Sequence, residues 1–198
     1  MSILEKIFGA KTQSMQQVAN ERLFDAKTAG DVIAALAAGA DIEARDYCQQ
    51  TPLQRAAYYG RNDAIKTLLE AGADVDGRNG RQEVALHSAT GWGHSDAVKI
   101  LLAAGANLGL KDERGRSVID NARSNYLRQL ADYIQSVADG STPRPTPEDV
   151  GLDMDKRNAA LAALARGEKP VVGQHTAALD ASRERQRQAA LDDPTQGI

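Results

Sequence analysis

Cysteine is nearly absent from this sequence, since Cys48 is the only one among 198 residues. One cysteine excludes an intramolecular disulfide, and one cysteine with three histidines offers no ligand cluster for a metal. Long apolar runs are also missing, so no segment is expected to cross a membrane. The opening residues, MSILEKIFGAKTQSMQQ, lack the apolar core of a signal peptide. We therefore expect a soluble protein of the cytoplasm, while secretion as an effector by another route stays open.

Neither sign of charge is in large excess, with 24 basic and 27 acidic residues and a formal net charge of −3. A surface that binds the nucleic-acid backbone needs concentrated positive charge, so a nucleic-acid partner is not expected. Patterns that support catalysis are missing as well. There is no glycine-rich phosphate loop, and Cys48 has no histidine near it in the sequence. The sequence predicts no catalytic residue, no cofactor and no metal site.

A repeat of 33 residues dominates what is present. The stretch at residues 51–75, TPLQRAAYYGRNDAIKTLLEAGADV, lies over residues 84–108, VALHSATGWGHSDAVKILLAAGANL. One step earlier, AAGADI at residues 37–42 holds the same phase, and one step later GRSVIDNA at residues 115–122 does so. A fixed period of this length indicates an array of structural repeats.

Each unit reads as two short helices followed by a turn. Thr51 is a suitable N-cap, and Pro52 fits the first helical position, where a missing N–H costs nothing. Gly60 predicts the end of the first helix and Gly72 the end of the second. Asn62 and, one repeat later, Ser95 are predicted to cap the second helix. The apolar stripe of that second helix is formed by Ile65, Leu68 and Leu69. Two helices cannot bury this stripe alone, whereas stacked neighbours can.

These residues resemble a known family. TPLQRAAYYG followed by LLEAGADV resembles an ankyrin repeat, and ALHSATGWGHSDAVKILLAAGANL resembles a second. The resemblance covers residues 21–135. It implies an all-α solenoid of stacked helix pairs with projecting hairpin loops, and a role in binding proteins rather than in catalysis. We divide the chain into an amphipathic arm (1–20), an ankyrin repeat domain (21–137) and a proline-rich linker with a disordered or weakly helical tail (138–198).

Departures from the family pattern predict where the array differs locally. The hairpin glycine of the family is replaced by Gln49 and Gln82, and Val84 replaces the capping threonine. We expect a weak point around residues 79–86. The first unit is short, and Thr28 followed by an aspartate three residues later predicts a capping box. The resemblance further implies that His87 forms hydrogen bonds between turns, while His94 is expected at the surface.

The aromatic residues suggest a binding surface. Aromatic residues make up only 4% of the chain, yet Tyr58 and Tyr59 are adjacent at a helix end, and Trp92 occupies the same place one repeat later. Tyr47 lies at the start of a hairpin. The resemblance implies that these four face the concave groove, where tyrosine and tryptophan often dominate binding energy. The alternative is that the rings pack against neighbouring helices.

Basic residues form a second periodic series. Arg45, Arg78 and Lys111 each precede the first Asp or Asn of a hairpin, with Arg81 and Arg114 close by. We predict a basic column along the hairpins that meets acidic groups on a partner, with a solvated surface of local ion pairs as the alternative.

The two flanks carry less information. SILEKIFG, at residues 2–9, places apolar residues on one helical face, which could dock on the array, bind a partner or touch a membrane. DGSTPRPTPEDVG is typical of a linker, and two alanine-rich stretches follow it. These stretches have few large apolar residues, so we expect a mostly disordered tail. The alternatives are a tail that becomes ordered on a partner and one that folds back over the groove.

The sequence therefore favours a non-enzymatic adaptor or inhibitor that binds a protein partner through its concave face and hairpins. One alternative is a structural or assembly subunit whose helical ends make the main contacts. Another is a secreted effector directed at a foreign protein.

Overall fold

The computed structural model describes residues 3–166 and 168, and within that range it contains ten helices and no strand. The helices are α1 Ile3–Asp25, α2 Ala29–Ala37, α3 Pro52–Tyr58, α4 Asn62–Glu70, α5 Ala85–Gly91, α6 Ser95–Ala103, α7 Val118–Ser124, α8 Arg128–Ala138, α9 Pro147–Val150 and α10 Met154–Ala165. None of these helices combines the length and apolar character that a membrane span requires.

The first eight helices form four stacked pairs. Helices α1, α3, α5 and α7 pack in one row, the inner row, and α2, α4 and α6 pack in a second, the outer row. The apolar stripes face each other between the rows, where Leu53, Leu68 and Leu101 are at most 1% exposed. Burial of each such side chain contributes about 1.5–3 kcal/mol to folding. The predicted all-α solenoid is confirmed.

Helices α2, α3 and α7 each begin with a residue whose side chain caps the helix. The Thr51 hydroxyl accepts from the Gln54 N–H at 3.1 Å, while the Gln54 side chain accepts from the Thr51 N–H at 2.8 Å. Thr28 with Asp31 repeats this capping box before α2, as predicted. Ser117 repeats it before α7. Each cap satisfies N–H groups that have no partner within the helix.

Helix α5 lacks this cap, as the sequence predicted. Val84 has the extended N-cap conformation, with φ −106° and ψ 170°, but valine has no side-chain acceptor. Only the return half of the motif is present, because the Val84 N–H donates to His87 Nδ1 at 3.4 Å.

The predicted caps of the outer helices were wrong. Asn62 and Ser95 are the first helical residues of α4 and α6, and the N-caps are Arg61 and His94, neither of which caps with its side chain. The reason is the tight turn at Gly60, whose φ of 64° brings its carbonyl to the Asn62 N–H at 3.0 Å. The turn moves the helix start one residue earlier than side-chain preference suggests.

His94 is half-buried rather than a simple surface residue. Its Nε2 lies 3.0 Å from the Tyr58 carbonyl oxygen, in the preceding unit. A Cβ added at Gly60 would meet the His94 ring at 2.6 Å. The space that glycine leaves in one turn is therefore filled by the side chain of the next repeat.

At the amino end, α1 runs without a break through residue 20, where the sequence analysis ended the arm. The backbone of the arm and of the first repeat helix thus forms one element. The side chains of residues 1–12, on which the predicted apolar face depends, lie outside the described part of the structure.

At the carboxyl end, residues 141–166 fold back onto the array. We call this segment the C-terminal strap. Its α9 packs on α6 and its α10 packs on α4, with Leu152 buried between them at 5% exposure. The strap thus covers outer helices and not the groove, and the array supplies the core that its alanine-rich sequence lacks. The second alanine-rich stretch lies outside the described residues.

Candidate functional site

The ends of two inner helices place three aromatic rings side by side. Tyr58 is the last residue of α3, Tyr59 is its C-cap, and Trp92 is the C-cap of α5. The Tyr58 and Tyr59 ring centroids are 5.0 Å apart in an edge-to-face arrangement, and the Tyr58 and Trp92 centroids are 4.6 Å apart. Tyr59 is 50% exposed and Trp92 is 58% exposed. We call these three residues the aromatic ledge.

An arginine side chain packs on the Tyr59 end of the ledge. The Arg61 guanidinium lies over the Tyr59 ring, 4.6 Å from its centroid. The same guanidinium donates to the carbonyl oxygens of Phe24 and Ala26, at 3.2 and 3.1 Å, and so holds the end of α1. The Arg55 guanidinium also lies over the Tyr59 ring, 5.9 Å from its centroid, so two cations hold a ring that remains 50% exposed.

A polar cleft of about 430 Å³ adjoins the other end of the ledge. It lies between the inner helices and the bases of the hairpins. Its lining consists of Gln50, Tyr58, Arg81, Glu83, His87, Ser88, Gly91, Trp92, Asn121 and Asn125. Two ledge residues thus form the aromatic edge of a cleft whose other walls are mostly polar.

Hydrogen bonds fix the cleft floor. His87 is 1% exposed, and its Nε2 lies 3.3 Å from the Arg116 carbonyl oxygen of the next hairpin. Because Nδ1 accepts from Val84, Nε2 must carry the proton. Burial lowers the pKa of His87, against a smaller opposing effect of the Arg116 carbonyl. The Asn121 amide donates to the His87 carbonyl oxygen at 3.0 Å. The hydrogen-bonding role predicted for His87 is confirmed.

The basic column is present, but its arginines have internal partners. Arg45 donates to the carbonyl oxygen of Arg78, and Arg78 donates to that of Lys111 at 3.3 Å. Each side chain thereby joins its own hairpin to the next one. These two exposed arginines can still meet a partner, but their repeated position is explained by this ladder.

The structure brings together only part of the predicted site. Tyr58, Trp92 and Arg81 line the cleft, and Tyr59 continues the ledge. The remaining predicted residues lie on the hairpins, outside the cleft lining, with Tyr47 90% exposed. These are Tyr47, Arg45, Arg78, Lys111 and Arg114.

Three residues near this face were not predicted from the sequence. Tyr126 is 90% exposed with φ 61°, and it stands 33 residues after Gly93, where the turn favours glycine. Asn121 and Asn125 line the cleft. Continuing the repeat alignment into the fourth unit places Asn125 opposite Trp92, which was the available signal.

Within residues 3–166, no group of three or more His, Cys, Asp or Glu side chains is arranged to hold a metal ion. Cys48 is exposed on a hairpin. The described site is built from aromatic rings, amides and a guanidinium.

Comparison with known proteins agrees with this geometry. Residues 23–112 match the family model for ankyrin repeats, in three copies. The fourth helix pair, α7 and α8, lies beyond the matched segment but repeats the capped start and the stacking. No curated protein matches the chain. The family match and the array of stacked, capped helix pairs show that residues 23–112 are ankyrin repeats.

Proposed function

We propose that this chain is a non-enzymatic adaptor or inhibitor that binds a protein partner on its concave side, through the aromatic ledge and the polar cleft. Ankyrin repeats generally mediate protein–protein interaction, and the family is typically non-enzymatic. The observation that carries the proposal is the ledge itself. Three rings lie together in a chain with only 4% aromatic residues, and two of them are at least half exposed. Clustered exposed rings are more informative than scattered ones.

The charges beside the ledge suggest the chemistry of the partner. Arg61 at one end and Arg81 in the cleft form no ion pair with any carboxylate of the described residues. A partner that places an apolar group on the rings and acidic groups beside these arginines would match both features. The acidic groups would mainly raise the association rate, and the apolar anchor would supply affinity.

Crosslinking identifies the partner and alanine substitution tests the site. A photoreactive residue at position 59, used in cells, should capture the partner for identification by mass spectrometry. Tyr59→Ala and Trp92→Ala should each then weaken binding by more than ~1 kcal/mol, as measured by calorimetry. Leu161→Ala is the control, because Leu161 is 42% exposed on the strap, which packs on the outer helices and lies outside the cleft lining. Unchanged affinity of a folded Tyr59/Trp92 double variant would place the partner elsewhere.

An assembly subunit is the second candidate, and one observation favours it. Met15 and Val18, three residues apart and so on one face of α1, are 72% and 45% exposed. Under this hypothesis, Met15→Glu with Val18→Glu abolishes capture of the partner and the ledge substitutions do not. The adaptor hypothesis predicts the reverse.

A further inference from the structure

We propose that Asn79 is a site of spontaneous deamidation, which the folded hairpin slows and whose product loosens that hairpin beside the polar cleft. The hairpin comprises residues 78–83, and the inference does not depend on the proposed function. Asn79 is the only one of the seven asparagines that is followed by glycine. Because Gly80 has no Cβ, its backbone nitrogen can approach the Asn79 side chain closely.

The reaction needs no enzyme, metal or oxidant. The Gly80 backbone nitrogen attacks the carboxamide carbon of Asn79, and a succinimide ring forms. The C–N bond of the carboxamide breaks, and its nitrogen leaves as ammonia together with the proton of the Gly80 N–H. Water then opens the ring at one of its two carbonyl carbons. One opening gives aspartate, and the other gives isoaspartate, in which the main chain runs through the former side chain.

The folded hairpin holds the reacting carboxamide at both ends. Asn79 is 6% exposed, and its Oδ1 accepts from the N–H groups of Arg81 and Glu83, at 2.8 and 3.0 Å. Its Nδ2 donates to Glu83 Oε2 at 3.0 Å. While these bonds persist, the carboxamide carbon is not free to move onto the Gly80 nitrogen. Deamidation therefore requires local opening of the hairpin.

Two features of the hairpin and its surroundings favour such opening and the attack that follows. Helix α5, which begins at Ala85, has no side-chain cap, because Val84 offers no acceptor. Gly80 is exposed in the turn, and among the described residues no group accepts from its N–H. The attacking nitrogen is therefore free, and the fold restrains only the asparagine side chain.

The product differs from asparagine at its contact with Glu83. An aspartate has no N–H to donate, so two carboxylates would face each other in place of the hydrogen bond. The equivalent pairs in the neighbouring hairpins avoid this repulsion, since they are Asp46 with Gln50 and Asp112 with Arg116. Of these three hairpins, the one with glutamate at the later position is the one that has asparagine at the earlier position.

Glu83 connects this change to the rest of the array. It lines the cleft, and its carbonyl oxygen accepts from Gln54 Nε2 of α3 at 2.6 Å. Isoaspartate would disturb the turn further, because its extra main-chain carbon moves the acceptor away from the N–H groups of Arg81 and Glu83. We expect either product to weaken the link between this hairpin and α3.

Peptide mass mapping of the full chain during incubation at neutral pH tests the assignment. Asn79 should be deamidated at least ~tenfold more slowly in the folded chain than in urea. Gly80→Ala is the matched variant, because an added Cβ would lie 3.6 Å from its nearest neighbour, which is ordinary van der Waals contact. It should slow the reaction in urea at least ~threefold, since a Cβ hinders the approach of the nitrogen. Equal rates in the two states, deamidation spread over the other asparagines, or none at Asn79 would overturn the proposal.

Direct substitutions test the effect of the product. Asn79→Asp should lower the urea midpoint and speed amide exchange at residues 81–83 at least ~threefold. The same change in a Glu83→Gln background copies the pair of Asp46 and Gln50, so the midpoint should fall less than it does beside Glu83. A loss of equal size in both backgrounds, or no loss in either, would overturn the role assigned to Glu83 and to the product.

Discussion

Position 87 and its counterparts, 33 residues away on either side, perform one structural task with different side chains. Gln54 accepts from its helix N-cap and donates to the Glu83 carbonyl oxygen of the next hairpin at 2.6 Å. His87 makes the same two connections, to Val84 and to Arg116. Asp120 only caps its own helix, since an aspartate has no N–H to donate. The link between neighbouring units therefore depends on a side chain that both accepts and donates.

His87 performs this task with a buried imidazole that can take up a proton, whereas Gln54 cannot. We therefore predict that His87 makes the free energy of unfolding depend on pH. Its pKa is lowered in the folded chain, so the unfolded chain takes up the proton first as the pH falls. Stability is therefore lost as the pH drops through the unfolded value of about 6.5 towards the folded pKa, by at most ~1.4 kcal/mol per pH unit. His87→Gln, copying Gln54, should remove this loss between pH 7 and pH 5 in urea unfolding.

Carboxylates also contribute to the pH dependence, and the comparison of wild type with His87→Gln removes their shared contribution. Burial raises the pKa of Glu43, so the folded chain takes up that proton first and gains stability there as the pH falls, which opposes the loss at His87. Hydrogen bonds lower the pKa of Asp31 and of Asp120, so both contribute only at pH values below about 4. If His87→Gln kept the full wild-type pH dependence, the tautomer and the bonds assigned to His87 would be wrong.

A second residue-scale prediction concerns the left-handed turn residues. Gln49 and Gln82 have φ values of 60° and 59°, and Gly115 has the same role with φ 74°. A side chain in this region costs about 1 kcal/mol relative to glycine. Gln49→Gly should therefore raise the free energy of unfolding by roughly that amount, as measured by urea denaturation. Gly115→Ala should lower it, and the same sign for both substitutions would contradict the account.

At the scale of the element, the missing cap of α5 is the clearest weak point. Val84 has the backbone conformation of Thr51 but offers no acceptor. Val84→Thr should raise the free energy of unfolding by about 1 kcal/mol, since the hydroxyl can accept from the His87 N–H. Thr51→Val is the reciprocal control and should lower it. No change in the urea midpoint for Val84→Thr would count against this helix start.

Helix starts show which features a sequence alone could predict. The caps at Thr28 and Thr51 depend on residues three positions apart, so local spacing was sufficient. The caps predicted at Asn62 and Ser95 failed, because the turn is set by the positive φ of a glycine and by a contact from the next unit. His94 meets Gly60 across 34 positions, and no local rule contains that contact.

The candidate site shows the same division. Tyr58, Tyr59 and Trp92 could be grouped because the repeat alignment gave their phase. The hydrogen bonds of Arg45 and Arg78 to carbonyl groups of the next hairpin could not be predicted. Their acceptors are backbone atoms 33 residues away, which every residue type carries. Tyr126 and Asn125 were missed because the fourth unit is the least regular in sequence.

At the scale of the whole molecule, the C-terminal strap links the outer helices. Arg144 donates to the Ala106 carbonyl oxygen at 2.6 Å, and Arg157 donates to that of Ala104. Both carbonyl groups lie just after α6, where helix ends need external donors. Lys156 adds an ion pair with Glu70 of α4, at 3.8 Å. Composition alone suggested disorder, because it could not show that the array offers a surface for these residues.

The strap should therefore unfold together with the array. Leu152→Ala removes a side chain that is 5% exposed in the common core, and should lower the free energy of unfolding by about 2 kcal/mol or more. Leu161→Ala, at a 42% exposed position of the strap, is the control and should change it by less than ~0.5 kcal/mol. If Leu152→Ala left the free energy of unfolding of the array unchanged, the strap would be a separate unit.

The central claim is that stacking holds the helix pairs and leaves the concave ends of the inner helices for recognition. Hydrogen exchange of the full chain, with and without the partner captured from position 59, tests it most directly. The account predicts that the partner slows exchange at residues 58–61 and 91–94 and at the hairpin bases, and leaves α9 and α10 unchanged. Protection confined to α1 or to the C-terminal strap, with unchanged exchange at the ledge, would contradict it.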